Sequence, residues 1–404
     1  MGRLVTSAIQ FSGFASQLPA KLNRLYSRYE KVRLGEKPVI NLIGGNVTEQ
    51  GVSFPNDRLE NILREATGKT CVYQPIPFGE VTGREAIGEY YRRAGLHVST
   101  DQILLTPGTS VSYFYCFKLL ANPGEEILCP TPSYPLFETI AQLCDVRLQY
   151  YRLRESEAWE IDLDYLESQI STRTRALVLI SPHNPTGHLT SYSQLDGLAE
   201  IVNRHKLPII ADEVFSEFLF GREALPRPAL TTAPLVLTLN GFSKMFALPG
   251  LKIGWIIVSG QISWVQKSLK VLELVLDTLL PVNDVSQYAV AQIFDEGAEF
   301  QVEYQQWIQE CWSLAKNALS RYPAVRFVPP QGGFYLTLDV GKPEIDEEAL
   351  CISLLKSSNI LVHPGYFYDM TPAHLVLTFI LQHDRLDQSL QLLCQHVLKW
   401  LEQK

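Results

Sequence analysis

The chain is 404 residues long, 46% hydrophobic and 19% charged, with 25 Gly and 24 Pro, a composition that excludes a disordered or fibrous protein and provides for a large folded interior. Two or three domains are expected at this length. Thirty-five Lys and Arg stand against 43 Asp and Glu, a net charge of −8 with no long basic run, which argues against a nucleic-acid partner and for a small-molecule ligand.

The seven cysteines (Cys71, Cys116, Cys129, Cys144, Cys311, Cys351 and Cys394) are odd in number, scattered and never spaced Cys-x-x-Cys. That pattern suggests neither a disulfide framework nor a metal site, and a reducing cytoplasm is the expected compartment. No stretch approaches the ~20 apolar residues of a membrane span. The opening MGRLVTSAIQFSGFASQLPAKL has too weak an apolar core for a signal peptide, so a soluble chain with no membrane partner is expected. Met1-Gly2 followed by Thr6 matches a myristoylation pattern, but so loosely that it carries little weight.

In chain order, the first fifty residues are too short for a domain and lack a strand pattern until VINLIGG (39–45); they are expected to arch across to the C-terminal region. Short apolar, β-rich runs then alternate with helix-length amphipathic segments: QILLT (102–106), EEILCP (125–130), VRLQYY (146–151), RALVLIS (175–181), LPIIAD (207–212), LVLTLN (235–240) and KIGWIIV (252–258). The alternation predicts an α/β sheet, and the continuously apolar runs predict strands covered on both faces. In such sheets ligands bind at the carboxyl ends of the strands. After Val258 the pattern becomes long helices with a break at Pro281. It ends in a β-rich pair, GGFYLTLDV and HLVLTFIL, around a helix near 346–357, with a closing helix near 384–401. The expected organisation is an N-terminal segment (1–50), a large domain (51–285) and a small α+β domain (286–404), with no repeat or linker.

Three segments sit just past predicted strands: SPHNPTG (181–187), ADEVFSEF (211–218) and NGFSKMFALPGLKIGW (240–255). They put Asn184, Asp212 and Lys244 on one rim of the sheet. Taken singly, each has an ordinary explanation, since NPTG makes a good turn, DE after a strand is often a cap, and a lone Lys is usually solvated. Taken in order, they suit a covalent aldehyde cofactor better than an acid–base hydrolase. The lysine forms a Schiff base, and the carboxylate keeps the cofactor ring nitrogen protonated so that the ring accepts electrons.

This ordered set resembles the class I/II pyridoxal-phosphate-dependent aminotransferases, the fold type I group that includes aspartate and alanine aminotransferases. The resemblance covers nearly the whole chain, through INLIGG (40–45), VYQPIPFGEVTGREAI (72–87), TPGTS (106–110), NPGEEILCPTPSYP (122–135), the three segments above, GGFYLTL (332–338), VHPGYF (362–367) and HLVLTF (374–379). It implies a large domain with a mostly parallel sheet covered by helices, and a smaller α+β domain. It makes Lys244 the cofactor lysine and the base that moves the substrate proton. Asp212 is implied as partner of the ring nitrogen, Asn184 as donor to the ring oxygen and Tyr134 as the residue stacked on the ring. Gly108, Thr109 and Ser110 precede a helix whose free N–H groups and dipole make a phosphate seat; Ser243 joins the cofactor set. Tyr73 resembles the tyrosine that reaches the phosphate of a neighbouring subunit, which implies a homodimer with shared sites. Gly45 falls where the backbone passes close to substrate and has no room for a Cβ.

The departures from the family pattern are as informative. Phe215 replaces a tyrosine and so removes a hydrogen bond to the ring oxygen; Gly241 replaces a serine three before Lys244; and the turn between Tyr73 and Gly79 is one residue longer than usual. Lys252 replaces a phosphate-binding arginine, keeping the charge but losing the bidentate fork. In HLVLTF, Val376 stands where the family's substrate-carboxylate arginine belongs. Either another cation takes that role or the substrate is not an ordinary α-amino acid. His363, just upstream, either faces the substrate or is simply hydrogen-bonded.

The expected function is amino-group transfer between an amino acid or related amine and a 2-oxo acid. A pyridoxal-phosphate lyase, cyclase or decarboxylase on the same scaffold is the alternative that the missing arginine keeps open. A non-catalytic cofactor-sensing regulator is disfavoured, because the short N-terminal stretch is not notably basic.

Overall fold

The computed structural model describes residues 9, 12–17, 23–35, 37–222, 224–341, 344–370 and 373–402; the possible myristoylation site at Gly2 lies outside them. The main sheet has eight strands: β2 (Ile103–Thr106), β3 (Glu126–Thr131), β4 (Arg147–Arg154), β5 (Glu160–Ile161), β6 (Thr174–Ile180), β7 (Ile209–Asp212), β8 (Leu235–Gly241) and β9 (Gly254–Gly260). The designation β1 belongs to the short strand Ile40–Asn41 that precedes them. The spatial order is β2-β9-β8-β7-β6-β3-β4-β5. From β8 through β4 neighbours are parallel, whereas β9 runs against both β2 and β8, and β5 runs against β4. All seven strands expected from the sequence between residues 102 and 258 form. β5 is additional, because a two-residue strand carries no periodicity to read.

Every residue of β2, β7 and β8 is buried, as expected for strands sandwiched between helix layers. On one face Leu104, Ile127, Val178, Ile210 and Leu237 pack with the helix Thr109–Leu120 and with Val265, Leu272 and Leu276 of the helix Ile262–Leu279. Leu128, Leu177 and Ile209, on the opposite face, pack with Leu195, Leu198 and Val202 of the helix Tyr192–His205. That helix begins where the Ser191 hydroxyl accepts the Gln194 N–H. The break foreseen at Pro281 separates Ile262–Leu279 from Asp284–Glu296, whose N-cap is the Asn283 side chain.

Beyond the helix Ala298–Ser320, β10 (Tyr335–Asp339), β12 (His363–Pro364) and β13 (His374–Thr378) form an antiparallel sheet in the order β10-β13-β12. The strand β11 (Ile360–Leu361) pairs in parallel with β1, so the N-terminal segment is tied to the C-terminal third of the chain. The two units also meet at Gly187, in the loop after β6, whose carbonyl accepts N–H groups from Gln331 (2.8 Å) and Gly332 (3.1 Å).

Gly187 adopts φ +68°, and a Cβ there would stand 2.3 Å from the Cβ of Pro330. Left-handed strain and overpacking therefore act together, and Gly187→Ala should lower stability by about 2–4 kcal/mol. Urea unfolding measures this, and a loss below about 1 kcal/mol would mean that the loop does not dock there as described.

Candidate active site

Three parallel strands deliver the three residues singled out in the sequence. β6 ends at Ile180 and its loop carries Asn184; β7 ends at Asp212; β8 runs into the one-turn helix Phe242–Met245, which carries Lys244. All three line one cavity at the carboxyl ends of these strands. Thr109, Ser110, Tyr134, Phe215 and Ser243 border it as well.

Asp212 is 8% exposed and fixed at both oxygens. Its Oδ1 accepts the Val214 N–H (3.0 Å) and its Oδ2 accepts the Tyr113 hydroxyl (2.7 Å). Both donors are neutral, and burial pushes the carboxyl up to about 6 despite them. Lys244 is shifted the opposite way, as an amine is when burial disfavours its charge, and falls to about 8. Its Nζ donates to the Gly45 carbonyl at 2.7 Å. A Cβ on Gly45 would lie 2.7 Å from that Nζ, so a larger residue there would displace the lysine tip from the position it now holds.

The twelve-residue helix Thr109–Leu120 begins beside the cavity with no side-chain cap, leaving its first N–H groups to a ligand. Gly108, at its N-cap, has φ +109° and packs against Gly254, where a Cβ would come 2.8 Å from the Gly108 Cα. Phe215 packs edge-on against Phe334 and Tyr335, with its ring centroid 6.0 Å from the Lys244 Nζ. At Gly241 a Cβ would meet the Ile253 carbonyl at 2.6 Å, so the close β8–β9 pairing accounts for the absence of the family serine.

Tyr73, Lys252 and Val376 do not line the cavity. Tyr73 is 65% exposed, and Lys252 is exposed in a left-handed turn at φ 54°. Val376 is fully buried in β13, among residues that include Tyr335 and Tyr368. Of the two possibilities for His363, the structure has the hydrogen-bonded one, to Tyr26 and Tyr368.

Of the cavity residues that sequence reasoning missed, Tyr113 and Tyr335 are the ones with polar side chains. Tyr113 follows Thr109 by four, the spacing that puts both on one helix face, a signal present in the helical segment already identified. Tyr335 lies in the GGFYLTL segment, and its hydroxyl meets the Asn184 amide. Only the packing of β10 against the large sheet reveals that contact.

The donor set fits pyridoxal phosphate on features of the chain itself. A buried carboxylate with only neutral partners suits a ring cation, an uncapped helix N-terminus suits a phosphate, and a desolvated amine suits an aldehyde. Comparison with known proteins gives the same result. The fold superposes on an alanine aminotransferase from Pyrococcus furiosus with a TM-score of 0.89 over 96% of this chain and 100% of that one, at 22% identity. This is the fold type I aminotransferase architecture. The sequence is 29% identical over 310 residues to tyrosine aminotransferase of Mus musculus, covering 75% of this chain and 68% of that protein. It is 28% identical over 373 residues to the glutamate-pyruvate aminotransferase AlaA of Escherichia coli K12, covering 89% and 91%. Residues 37–393 match the aminotransferase class I and II model. The chain belongs to that family, and it is a pyridoxal-phosphate-dependent aminotransferase.

The unfolded Asp212 carboxyl releases its proton near pH 3.8 and the folded one near 6, so the apoprotein loses stability as pH rises between those values. Asp212→Asn removes this loss. The cofactor-free variant should be more stable than wild type at pH 7.5, by up to about 3 kcal/mol, with the gap shrinking toward pH 4. Urea unfolding of both apoproteins across that range tests it, and a gap independent of pH would refute the burial of an unpaired charge.

Proposed function

We propose that the enzyme moves an amino group between an amino acid or related amine and a 2-oxo acid with Lys244 as its central residue. The observation that carries this is the convergence of Lys244, Asp212 and Asn184 on one cavity at the strand ends. Bound pyridoxal phosphate supplies an electron sink for the substrate carbon. Asp212 would face its ring nitrogen, Asn184 its ring oxygen and Tyr134 its ring plane. Thr109, Ser110 and Ser243 would hold the phosphate beside the Gly108 turn, with Lys252 adding charge, and Phe215 closes an apolar side of the site. Lys244 Nζ takes the proton from the amine-bearing carbon and returns it. Its fall to about 8 puts a substantial neutral fraction near physiological pH, and the Gly45 carbonyl orients it.

Borohydride reduction of the holoenzyme followed by peptide mapping should place the pyridoxyl group on Lys244, and Lys244→Ala should abolish turnover. Label on a different lysine would overturn the assignment.

The functional unit we propose is a homodimer with shared sites, in a reducing cytoplasm. Exposed Val72 (66%) and Tyr73 (65%), and Ile262 (69%), Leu274 (67%) and Leu280 (62%), form apolar surface for a second copy to cover. All seven thiols are free, six of them buried. The proposed division is a segment at 1–50, a large domain at 51–285 and a small one at 286–404. Light scattering should give twice the chain mass. Tyr73→Phe should weaken retention of pyridoxal phosphate by about tenfold, the scale of one lost hydrogen bond to a charged group, without dissociating the dimer. Unchanged retention would remove Tyr73 from the neighbouring site.

A further inference from the structure

A second cavity, of about 750 Å³, lies apart from the one at the strand ends and shares no lining residue with it. That volume is within the range of sites for small organic molecules. Its walls come from three directions. The loop after β7 contributes Glu217 and Arg227, the helix Val81–Arg93 contributes Tyr90, and the helices Asp284–Glu296 and Ala298–Ser320 contribute Phe294, Gln301 and Gln305.

Two of these side chains bring opposite charges to the space. Arg227 is 5% exposed and lies over the Tyr91 ring, 4.9 Å from its centroid. Its Nη1 pairs with Glu213. Among the described residues Nε and Nη2 meet no acceptor, and neither is sealed from solvent, so both are open to the cavity. Glu217 has only neutral donors: the Tyr90 and Ser216 hydroxyls, and the Gln301 and Gln305 amides, each 3.0 Å from Oε2. Burial pushes its carboxyl up, and no cation among the described residues pairs with it. Arg227 and Glu217 both act on the Tyr90 hydroxyl and are therefore neighbours, yet they form no ion pair with each other. At the rim Arg93 is paired with Glu89, and exposed Arg222 and Asp295 cancel in charge.

The signs of these groups select what can bridge them. A lone anion would be repelled by Glu213 and Glu217, and a lone cation by Arg227. A zwitterion adds no net charge, and it offers a carboxylate to the planar Arg227 fork and an ammonium to Glu217. An α-amino acid carries both groups on one carbon, and Phe294, Leu219 and Leu225 give its side chain an apolar surface. We propose that this cavity is a second binding site, for a free α-amino acid, separate from the catalytic one. Its walls adjoin the catalytic loops from behind. Glu213 directly follows Asp212, and the Ser216 hydroxyl accepts from Asn240, whose Oδ1 accepts the Gly241 N–H three residues before Lys244. A bound amino acid thus braces the loop leaving Asp212 against the helix Ala298–Ser320.

Calorimetric titration of the borohydride-reduced holoenzyme, whose catalytic lysine is blocked, tests the site. The probes are L-leucine and L-glutamine, their α-amides, and the corresponding carboxylates without the amino group. At least one amino acid should bind, one per chain, and its amide and its deaminated form should each bind about tenfold or more weakly, the scale of a lost contact between charged groups. Saturation should slow amide hydrogen exchange in residues 213–227 and 298–309. Ala298→Trp narrows the cavity and leaves its charges in place, so it should weaken binding by about tenfold or more and abolish that protection. Glu217→Gln should weaken binding similarly, and where it fails to fold Ala298→Trp decides alone. The proposal is overturned if neither amino acid binds, if the amides bind as well as the amino acids, or if binding survives Ala298→Trp. None of these readouts needs turnover, so each of those results leaves the aminotransferase function standing.

Discussion

A carboxylate buried at the end of a parallel strand, with only neutral groups at its oxygens, is the constraint around which this protein is organised. β7 is covered on both faces, so the Asp212 side chain leaves water as the sheet forms. The Val214 N–H and the Tyr113 hydroxyl hold it in place but only partly replace its hydration. The protein therefore carries an electrostatic cost that, on the proposed placement of the cofactor, its ring cation would remove. Lys244 carries the converse cost, an amine kept from full protonation by the same dry surroundings. These opposed shifts within one cavity suit the two groups to the different roles proposed for them, one charged against a ring cation and the other alternating between amine and ammonium.

Holding two such groups requires rigid supports from several directions. The large sheet fixes Asn184, Asp212 and Lys244 through adjacent parallel strands. The helix Thr109–Leu120 contributes Tyr113 to the carboxylate and directs its uncapped end toward the cavity. From outside the large sheet come Gly45, just after the short strand β1, and Tyr335 on β10. The site is thus closed by segments nearly 300 residues apart, and docking of the Gly187 loop on Gln331 and Gly332 holds these parts in register. Behind β7, Glu217 is bonded to Tyr90, Gln301 and Gln305, and Glu213 pairs with Arg227. The loop after Asp212 is therefore fixed on the side away from the cavity too.

In the small antiparallel sheet Val376 is fully buried, and His363, kept uncharged by burial, is bonded to Tyr26 of the N-terminal segment and to Tyr368.

The sequence by itself determined the seven long strands of the main sheet, because buried parallel strands read as continuous apolar runs between amphipathic helices. It determined the order of Asn184, Asp212 and Lys244 as well, because each directly follows such a run. The departures at Phe215, Gly241, Lys252 and Val376 were equally visible as local substitutions in recognisable segments. Tertiary structure alone decided the rest. The pairing of Tyr113 with Asp212 spans 99 residues and that of Tyr26 with His363 spans 337, and no local periodicity encodes a contact between residues so far apart along the chain. His363 was ambiguous in the sequence because an imidazole's role depends on which groups meet its two nitrogens, and those groups come from a distant helix and a following turn. The reason is the same throughout: secondary structure follows from the spacing of apolar residues along the chain, whereas the charge and protonation of a buried group follow from what the completed fold places around it.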